Sequence, residues 1–211
     1  MLLLPAGLRP VKDVLFGARE LCSGSGHLGS TSAALRIVGP ELDETYARLV
    51  RAEIVEMATD ETRAPEAAAG GAAAANGTNS TDAVASASVA LCGALAQRDL
   101  HLAMLGSAAV LNTSTSEGMC NSVLEAMLLG TPVVARANAG NRALLKDGIT
   151  GLLADSPAHL AAQVERLLGS AALGEALVAA AQDEVAREHS AESEAHAYVE
   201  TLEGVLRRGD S

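Results

Sequence analysis

Residues 113–153 read TSTSEGMCNSVLEAMLLGTPVVARANAGNRALLKDGITGLL, and this stretch decides the fold. Residues 113–116 are four hydroxyl-bearing residues of the type that caps helices, and Gly118 permits close approach of another group to the backbone. The pattern predicts a helix over 120–129, followed at once by a short buried strand at 132–135. A loop, a helix and an apolar strand in this order indicate an α/β fold with a parallel sheet.

The loop before this helix is where a ligand site is expected. The unpaired N–H groups of a helix start favour an anion such as a phosphate. In open α/β sheets, ligands collect at the carboxyl ends of strands, and this loop directly follows an apolar run at 109–112. Two carboxylates, Glu117 and Glu125, lie on either side of the junction between loop and helix, with seven residues between them. The segment therefore predicts a site that faces phosphate groups.

Apolar runs alternate with helical patterns along the whole chain, which is typical of a doubly wound α/β fold. The apolar runs predict strands at 2–4, 34–38, 89–92, 109–111 and 132–135. The helical patterns predict helices at 11–22, 43–57, 97–106, 120–129, 157–168, 171–189 and 191–207.

Residues 58–88 interrupt this alternation because they are mostly small or polar. Such a composition cannot bury enough apolar surface to fold, so a low-complexity, disordered insertion is predicted here. An insertion of this kind costs little stability, since the entropy of closing a loop grows slowly with its length. The predicted organisation is one domain over 1–188, followed by a C-terminal helix and tail at 189–211.

Composition and charge exclude several classes of protein. A formal net charge of −11, from 15 Lys+Arg against 26 Asp+Glu, argues against a general binder of nucleic acid or anionic membranes. No apolar run approaches the ~20 residues that a membrane helix requires, so no membrane span is expected. The three cysteines lack the spacing of a zinc site or a disulfide framework, and the first residues lack a signal-peptide pattern. A cytoplasmic location and surface or capping roles for the five histidines follow as expectations.

Three segments carry a resemblance to a known family. SEGMCNSVLEAMLLGTPVVA (116–135) resembles the signature of retaining, family-4-type glycosyltransferases of the GT-B fold, also called group 1. The resemblance extends through GNRALLKDGITGLL (140–153) and back to PAGLRPVKD (5–13), and it is strongest to the subgroup of glycosyltransferase-1-domain-containing proteins. GT-B enzymes close two Rossmann-like domains around donor and acceptor. The resemblance covers only the second, donor-binding domain, which implies a Rossmann-like fold for 1–188 and a missing N-terminal acceptor domain or a partner chain that supplies it.

The resemblance implies catalytic roles for three charged residues. Arg9 and Lys12 correspond to the Arg and Lys that hold the donor diphosphate in the family, and electrostatic stabilisation of such a leaving group is usually the largest catalytic contribution. Glu117 would face the transferred sugar and stabilise positive charge at its anomeric carbon. Without the family context, Arg9 and Lys12 are solvated loop charges, and Glu117 is a carboxylate at a helix start worth about 0.3 to 1 kcal/mol.

Further positions are implied to bind the donor. Glu125 would accept hydrogen bonds from two ribose hydroxyls, although the same residue could be an ordinary exposed helix glutamate. Gly93 would lie beside the base. Backbone N–H groups at the helix start would face the phosphates or the sugar, from Gly118, Met119, Cys120 and Asn121. The family usually has an aromatic residue and a proline where this chain has the methionine and the cysteine.

Two functions from different classes remain open. One is a glycosyltransferase that moves a sugar from a nucleotide-sugar donor to an unknown acceptor with retention of configuration. The other is a donor-domain-only protein that binds the nucleotide-sugar without transfer, either as an inactive fragment or as a subunit completed by another chain. Epimerisation of a sugar nucleotide on the same fold is disfavoured, because the paired glutamates are typical of transferases. No metal and no cofactor other than the donor substrate are expected, since GT-B transferases commonly need no metal.

Overall fold

A computed structural model describes residues 1–22, 34–63 and 89–189 of the chain. Within them the strands are β1 (Leu2–Pro5), β2 (Leu35–Val38), β3 (Val89–Leu91), β4 (Ala109–Asn112), β5 (Val133–Arg136) and β6 (Leu152–Ala154). The helices are α1 (Ala18–Cys22), α2 (Glu44–Arg63), α3 (Gln97–Leu105), α4 (Asn121–Leu129), α5 (Ala139–Leu144), α6 (Pro157–Leu168) and α7 (Ala171–Glu188), with a short 3-10 turn at Pro10–Lys12.

The six strands form one parallel sheet in the order β3-β2-β1-β4-β5-β6. The strand order therefore reverses between β1 and β4. The loops that follow these two strands lead away in opposite directions along the sheet, and a crevice lies between them. A crevice of this kind is the usual ligand position in doubly wound folds. The sheet confirms the predicted α/β, Rossmann-like fold.

Both faces of the sheet are covered, which explains why the strands are continuous apolar runs rather than alternating ones. Successive side chains of a strand point to opposite faces. Accordingly, Leu2 and Leu4 of β1 belong to a core shared with α1, α2 and α6, whereas Leu3 belongs to a second core shared with α3, α4 and α7. All three leucines are buried. The site-bearing loops thus project from a strand that is fixed on both sides.

Several predicted boundaries were wrong. The predicted helix at 11–22 is broken between the 3-10 turn and α1, because Asp13 and Gly17 adopt positive φ angles of 41° and 79°. The helix predicted at 43–57 continues to Arg63, so the first residues of the predicted insertion at 58–88 are helical. The short elements α5 and β6 were not predicted at all. They are six and three residues long, too short for a periodic pattern to stand out.

Two predicted features lie partly or wholly outside the described residues. They are the remainder of the insertion from 64 to 88 and the C-terminal helix at 191–207. In the described part, the last helix, α7, ends at Glu188. No helix within the described ranges has the length and apolarity that crossing a membrane demands.

Candidate active site

Two loops meet in the crevice, one following β1 and the other following β4. The backbone N–H of Thr115 donates to the carbonyl of Val11 at 2.9 Å, and its hydroxyl donates to the same oxygen at 3.2 Å. The Thr113 hydroxyl donates to the Lys12 carbonyl at 2.9 Å. These hydroxyls were predicted to cap α4, and that prediction was wrong: they tie the two loops together, while the residue that caps α4, Cys120, makes no side-chain capping bond.

At the centre of the crevice Lys12 and Glu117 form an ion pair. The ammonium Nζ lies 2.5 Å from Glu117 Oε1, and the two side chains are only 15% and 11% exposed. The hydroxyl of Ser114 donates to the same oxygen at 2.6 Å, and the Asn112 amide does so at 3.3 Å. The structure thus brings together two of the predicted site residues, 105 positions apart in sequence. No described residue donates a hydrogen bond to the other carboxylate oxygen, Oε2.

Glu117 is held in its ionised form. Partial burial alone would raise the pKa of this carboxyl group, and it is the largest single influence. The hydrogen bonds from Lys12, Ser114 and Asn112, together with the charge of Lys12, outweigh burial and place the pKa below the ordinary value of 4.5. A glutamate in this state acts as a fixed negative charge near neutral pH and not as a proton donor.

We expect the substitution Glu117→Gln to remove part of the acid sensitivity of folding. A carboxyl group whose pKa is lowered by folding adds stability above its unfolded pKa, and that stability is lost as the pH falls through the folded pKa. The wild type should therefore be more stable than the variant near pH 7, and the difference should shrink toward pH 3. Denaturant unfolding of both proteins at pH 7, 5, 4 and 3 measures this difference. A difference that stays constant or widens in acid would show that Glu117 is not stabilised as a carboxylate.

Behind the ion pair, α5 supports the loop that carries Glu117. The fully buried Asn141 amide donates to Asn112 Oδ1 at 3.0 Å and to the Arg136 carbonyl at 2.9 Å. Asn138, which caps α5, donates from its amide to the Ser114 carbonyl at 2.8 Å. A Cβ atom added to Gly140 would lie 2.8 Å from the Gly118 carbonyl oxygen and closer still to that of Glu117. Only a glycine lets α5 approach this loop so closely.

A second anchor holds the residue that follows Lys12. Arg136, at the end of β5, donates to the Asp13 carboxylate at 2.6 Å and lies 4.1 Å from the centre of the Phe16 ring. It also donates to the Thr113 carbonyl at 3.4 Å. One guanidinium therefore connects both loops of the crevice. Its planar, multiply donating shape suits this bridging role better than the single ammonium of a lysine.

The four residues predicted to bind the donor through their backbone lie at the start of α4. Gly118, Met119 and Asn121 are exposed, and an added Cβ at Gly118 would contact nothing within 4 Å. Cys120 is buried, and its sulfur accepts a hydrogen bond from the Asn112 amide at 2.9 Å. The helix start is therefore open to an incoming group, while the Cys120 side chain faces inward and supports the loop.

Glu125 contacts α3 and not the ion pair. Its Oε1 accepts a hydrogen bond from the Gln97 amide at 2.9 Å, and its Oε2 lies 3.5 Å from His101 Nε2. The Glu125 side chain is 28% exposed, so it remains reachable from solvent. The sequence expectation for His101, a surface or capping role, missed its contact with a candidate donor-binding residue.

Arg9 and Gly93 lie at the edges of the crevice. Arg9 is exposed and forms no ion pair with another described residue, so the structure does not bring it to Lys12 or Glu117. Gly93 has a positive φ of 65°, and its carbonyl accepts a hydrogen bond from the Gly39 N–H at 2.8 Å. The residues that follow Gly93 line a cleft of about 240 Å³, together with residues at the ends of β1 and β2. Lys12 also lines this cleft.

Comparisons with known proteins establish the family of the chain. The sequence model of the family described as glycosyl transferases group 1 matches residues 53–170, which is more than half of the chain. The chain belongs to the glycosyl transferases group 1 family. The match includes Glu117 and Glu125 of this group 1 chain but begins within α2, after the loop that carries Arg9 and Lys12.

Curated and solved relatives of this group 1 chain are about twice its length. It is 30% identical over 195 residues to glycosyltransferase 1 domain-containing protein 1 of Xenopus tropicalis, a match over 92% of this chain and 48% of the relative. HepE of Anabaena, solved with UDP and separately with UDP-glucose, superposes with TM-scores of 0.72 and 0.71 at 19% identity, over 96% of this chain and 48% of HepE. A glycosyltransferase of Rickettsia africae gives a TM-score of 0.73 at 15% identity, over 97% and 47%.

Several residues that build the site of this group 1 chain were not found from the sequence. They are Asn112, Ser114, Asn141, Gln97 and His101. A signal existed for Asn112, because a polar residue that ends an apolar strand faces the ligand edge of the sheet. Ser114 acts on Glu117 within the same loop, where its hydroxyl was interpreted only as a capping group. Asn141, Gln97 and His101 act across elements far apart in sequence, which no local pattern shows. Among residues 1–22, 34–63 and 89–189, no three His, Cys, Asp or Glu side chains are grouped so that they could hold a metal ion.

Proposed function

We propose that this chain binds a nucleotide-sugar and supplies the donor-binding half of a glycosyltransferase that transfers the sugar with retention of configuration. The observation that carries the proposal is the Lys12–Glu117 pair in the crevice, next to the open start of α4. A cation, a carboxylate and free helix N–H groups in one place match the charges of a sugar diphosphate. Family membership and the UDP-containing structures of HepE support the choice of ligand.

In this proposal the diphosphate binds between Lys12 and the N-terminus of α4. The exposed backbone at Gly118 and Met119 allows the phosphates to approach the helix start, where N–H groups and the helix dipole favour negative charge. When the bond to the sugar breaks, charge accumulates on the diphosphate, and Lys12 stabilises it. Arg9, which is exposed on the same loop, would add a second cation. We propose that these groups replace the divalent metal that other phosphoryl-binding sites use.

Glu117 would lie on the sugar side of the same site. Because its pKa is lowered, the carboxylate is charged at neutral pH and stabilises positive character at the anomeric carbon. Its Oε2, which receives no hydrogen bond from a described residue, would accept one from a sugar hydroxyl. Binding of the diphosphate would compete with Glu117 for Lys12, so the ion pair must open as the donor enters. The base would lie in the cleft beyond Gly93, and the ribose would reach Glu125.

We expect Glu125→Ala to weaken nucleotide binding strongly. Each charge-assisted hydrogen bond from a ribose hydroxyl is worth about 1.5 to 3 kcal/mol, so losing even one costs about tenfold or more in affinity. Calorimetric titration with UDP, GDP, ADP and their hexose conjugates measures this effect and identifies the base. The matched control is Glu175→Ala, a glutamate that is exposed on α7 and forms no hydrogen bond or ion pair with a described residue. Equal affinities for the wild type and the Glu125 variant would contradict the proposed site.

A second candidate function is binding of the nucleotide-sugar without transfer. The observation in its favour is that the ion pair in the crevice and the open start of α4 account for binding of the donor alone, and no described residue is assigned to an acceptor. In the GT-B enzymes that the sequence resembles, groups of the other, N-terminal domain bind the acceptor. Release of nucleoside diphosphate from a bound nucleotide-sugar, followed over time, separates the two functions. Release at a rate that depends on an added acceptor supports transfer, whereas tight binding with no release supports the second candidate.

A further inference from the structure

We propose that Gln97 and His101 set the preference of the donor site for ribose over deoxyribose by positioning the carboxylate of Glu125. This inference rests on the proposed function, because it takes Glu125 as the group that receives the ribose. Gln97 is the first residue of α3 and His101 lies one turn later, so both side chains point to the same face. That face meets α4 at Glu125.

The three side chains form a closed polar cluster. The Gln97 amide nitrogen lies 2.9 Å from Glu125 Oε1 and 3.0 Å from His101 Nε2. An amide nitrogen carries two hydrogens, so it can donate to both neighbours at once. For this to occur, His101 must be neutral with its proton on Nδ1, because only then does Nε2 accept. In that state Gln97 fixes Oε1, and Oε2 accepts no hydrogen bond from a described residue.

A free Oε2 on a fixed carboxylate is what a ribose hydroxyl requires. Ribose presents two neighbouring hydroxyls, and a carboxylate held in one rotamer can accept from them without losing further side-chain entropy. Removing the 2′-hydroxyl removes one of these bonds. If Gln97 no longer held Oε1, the carboxylate could turn away, and the difference between ribose and deoxyribose would fade.

Protonation of His101 changes this arrangement. The charged imidazole can no longer accept from Gln97, and its Nε2–H lies 3.5 Å from Glu125 Oε2, close enough to engage that oxygen after a small movement. The ribose then competes with His101 for Oε2. The preference for ribose should therefore be weaker when His101 is protonated than when it is neutral.

Few other charged groups lie on the elements packed against this cluster. The remaining titratable residues of α3 are Arg98 and Asp99, and neither forms a hydrogen bond or ion pair with His101 or Glu125 within the described structure. Glu125 is the titratable side chain of α4, and β1, which also packs on α3, carries none. Lys12, in the loop after β1, is bound to Glu117.

The test compares UDP, GDP and ADP with their 2′-deoxy forms by calorimetry at pH 5.5, 6.5 and 7.5. The ratio of the two affinities cancels the ionisation of the diphosphate, which is the same in both ligands. For the base that binds, the wild type should prefer ribose about tenfold or more at pH 7.5, the value of one charge-assisted hydrogen bond. Across the series, the preference should decline once His101 becomes protonated.

Two variants and one control decide the roles of the two residues. Gln97→Met keeps the length of the side chain but removes the donor, and it should lose most of the ribose preference. His101→Gln keeps a polar nitrogen but cannot change its charge, so its ribose preference should no longer depend on pH. Arg98→Met, on the same helix, should behave like the wild type at every pH. Thermal unfolding of each variant checks that the fold is intact.

The outcomes separate this inference from the proposed function. The inference is overturned if Gln97→Met and His101→Gln both keep the wild-type ribose preference while Glu125→Ala loses it. Glu125 would then recognise ribose without help from Gln97 or His101. If Glu125→Ala also keeps the preference, or if no nucleotide binds the wild type, the proposed function fails and the inference fails with it. Loss of preference in Gln97→Met, together with a pH-independent ratio in His101→Gln, supports the positioning role.

Discussion

A Lys12→Met variant is expected to lose about tenfold or more of its affinity for a nucleoside diphosphate, whereas Glu117→Gln should keep the wild-type affinity or exceed it. Lys12 supplies a charge-assisted bond to the diphosphate in a partly buried crevice, worth about 1.5 to 3 kcal/mol. Glu117 competes with the ligand for the same ammonium. Replacing its charge by an amide frees Lys12, so the two halves of one ion pair have opposite effects on binding.

Calorimetry with UDP, GDP and ADP measures both affinities, and the chain offers a matched control. Its other lysine, Lys146, has a side chain that is 55% exposed, and it forms an ion pair with Glu184 of α7 rather than with a residue of the crevice. Lys146→Met should bind nucleotides like the wild type. The proposed site would be contradicted if Lys12→Met bound as tightly as Lys146→Met. A loss of equal size in both Lys12→Met and Glu117→Gln would show that the pair supports the fold of the loops and not the ligand.

The second large effect is expected from Gly140→Ala, a change of one methyl group on α5. The new carbon would overlap the carbonyl oxygens of Glu117 and Gly118, which are backbone atoms and cannot rotate away. Overpacking of this kind costs about 1 to 3 kcal/mol, which lowers the melting temperature of a domain of this size by several degrees. The loop that carries Glu117 must also shift, so nucleotide affinity should fall together with stability.

Thermal unfolding and calorimetry of three glycine variants test this expectation. Gly174→Ala, in α7, places its methyl group at ordinary contact distances of 3.7 and 3.9 Å, so it should leave nucleotide affinity unchanged and keep or raise the melting temperature, because alanine favours a helix over glycine. In Gly118→Ala the new methyl group has no atom within 4 Å, so the melting temperature should stay unchanged. The same methyl group would lie where the phosphates approach. A Gly140→Ala protein with wild-type melting temperature and nucleotide affinity would disprove the tight support of the loop by α5.

The sequence predicted those parts of the fold that depend on local pattern. The apolar runs of β1 to β5 are continuous because both faces of the sheet are covered, and α6 begins and ends where its pattern predicted, at Pro157 and Leu168. Lys12 and Glu117 were predicted from the family resemblance of their segments, and the topology brings them together because β1 and β4 are neighbours in the sheet.

What the sequence did not show depends on contacts between distant elements. The hydroxyls at 113–116 are of the type that caps a helix, yet Thr113 and Thr115 bind the loop after β1, because that loop lies beside them in the crevice. Glu125 has the same appearance in sequence whether it is solvated or held by α3. Its contact with Gln97 follows only from the packing of α3 against α4.

The most direct test of the central claim is a crystal structure of the chain with the nucleoside diphosphate that binds it best. The expected result is a diphosphate at the N-terminus of α4, within hydrogen-bonding distance of Lys12 Nζ, with the Lys12–Glu117 pair opened. A diphosphate bound away from Lys12, with the ion pair intact at 2.5 Å, would contradict the claim.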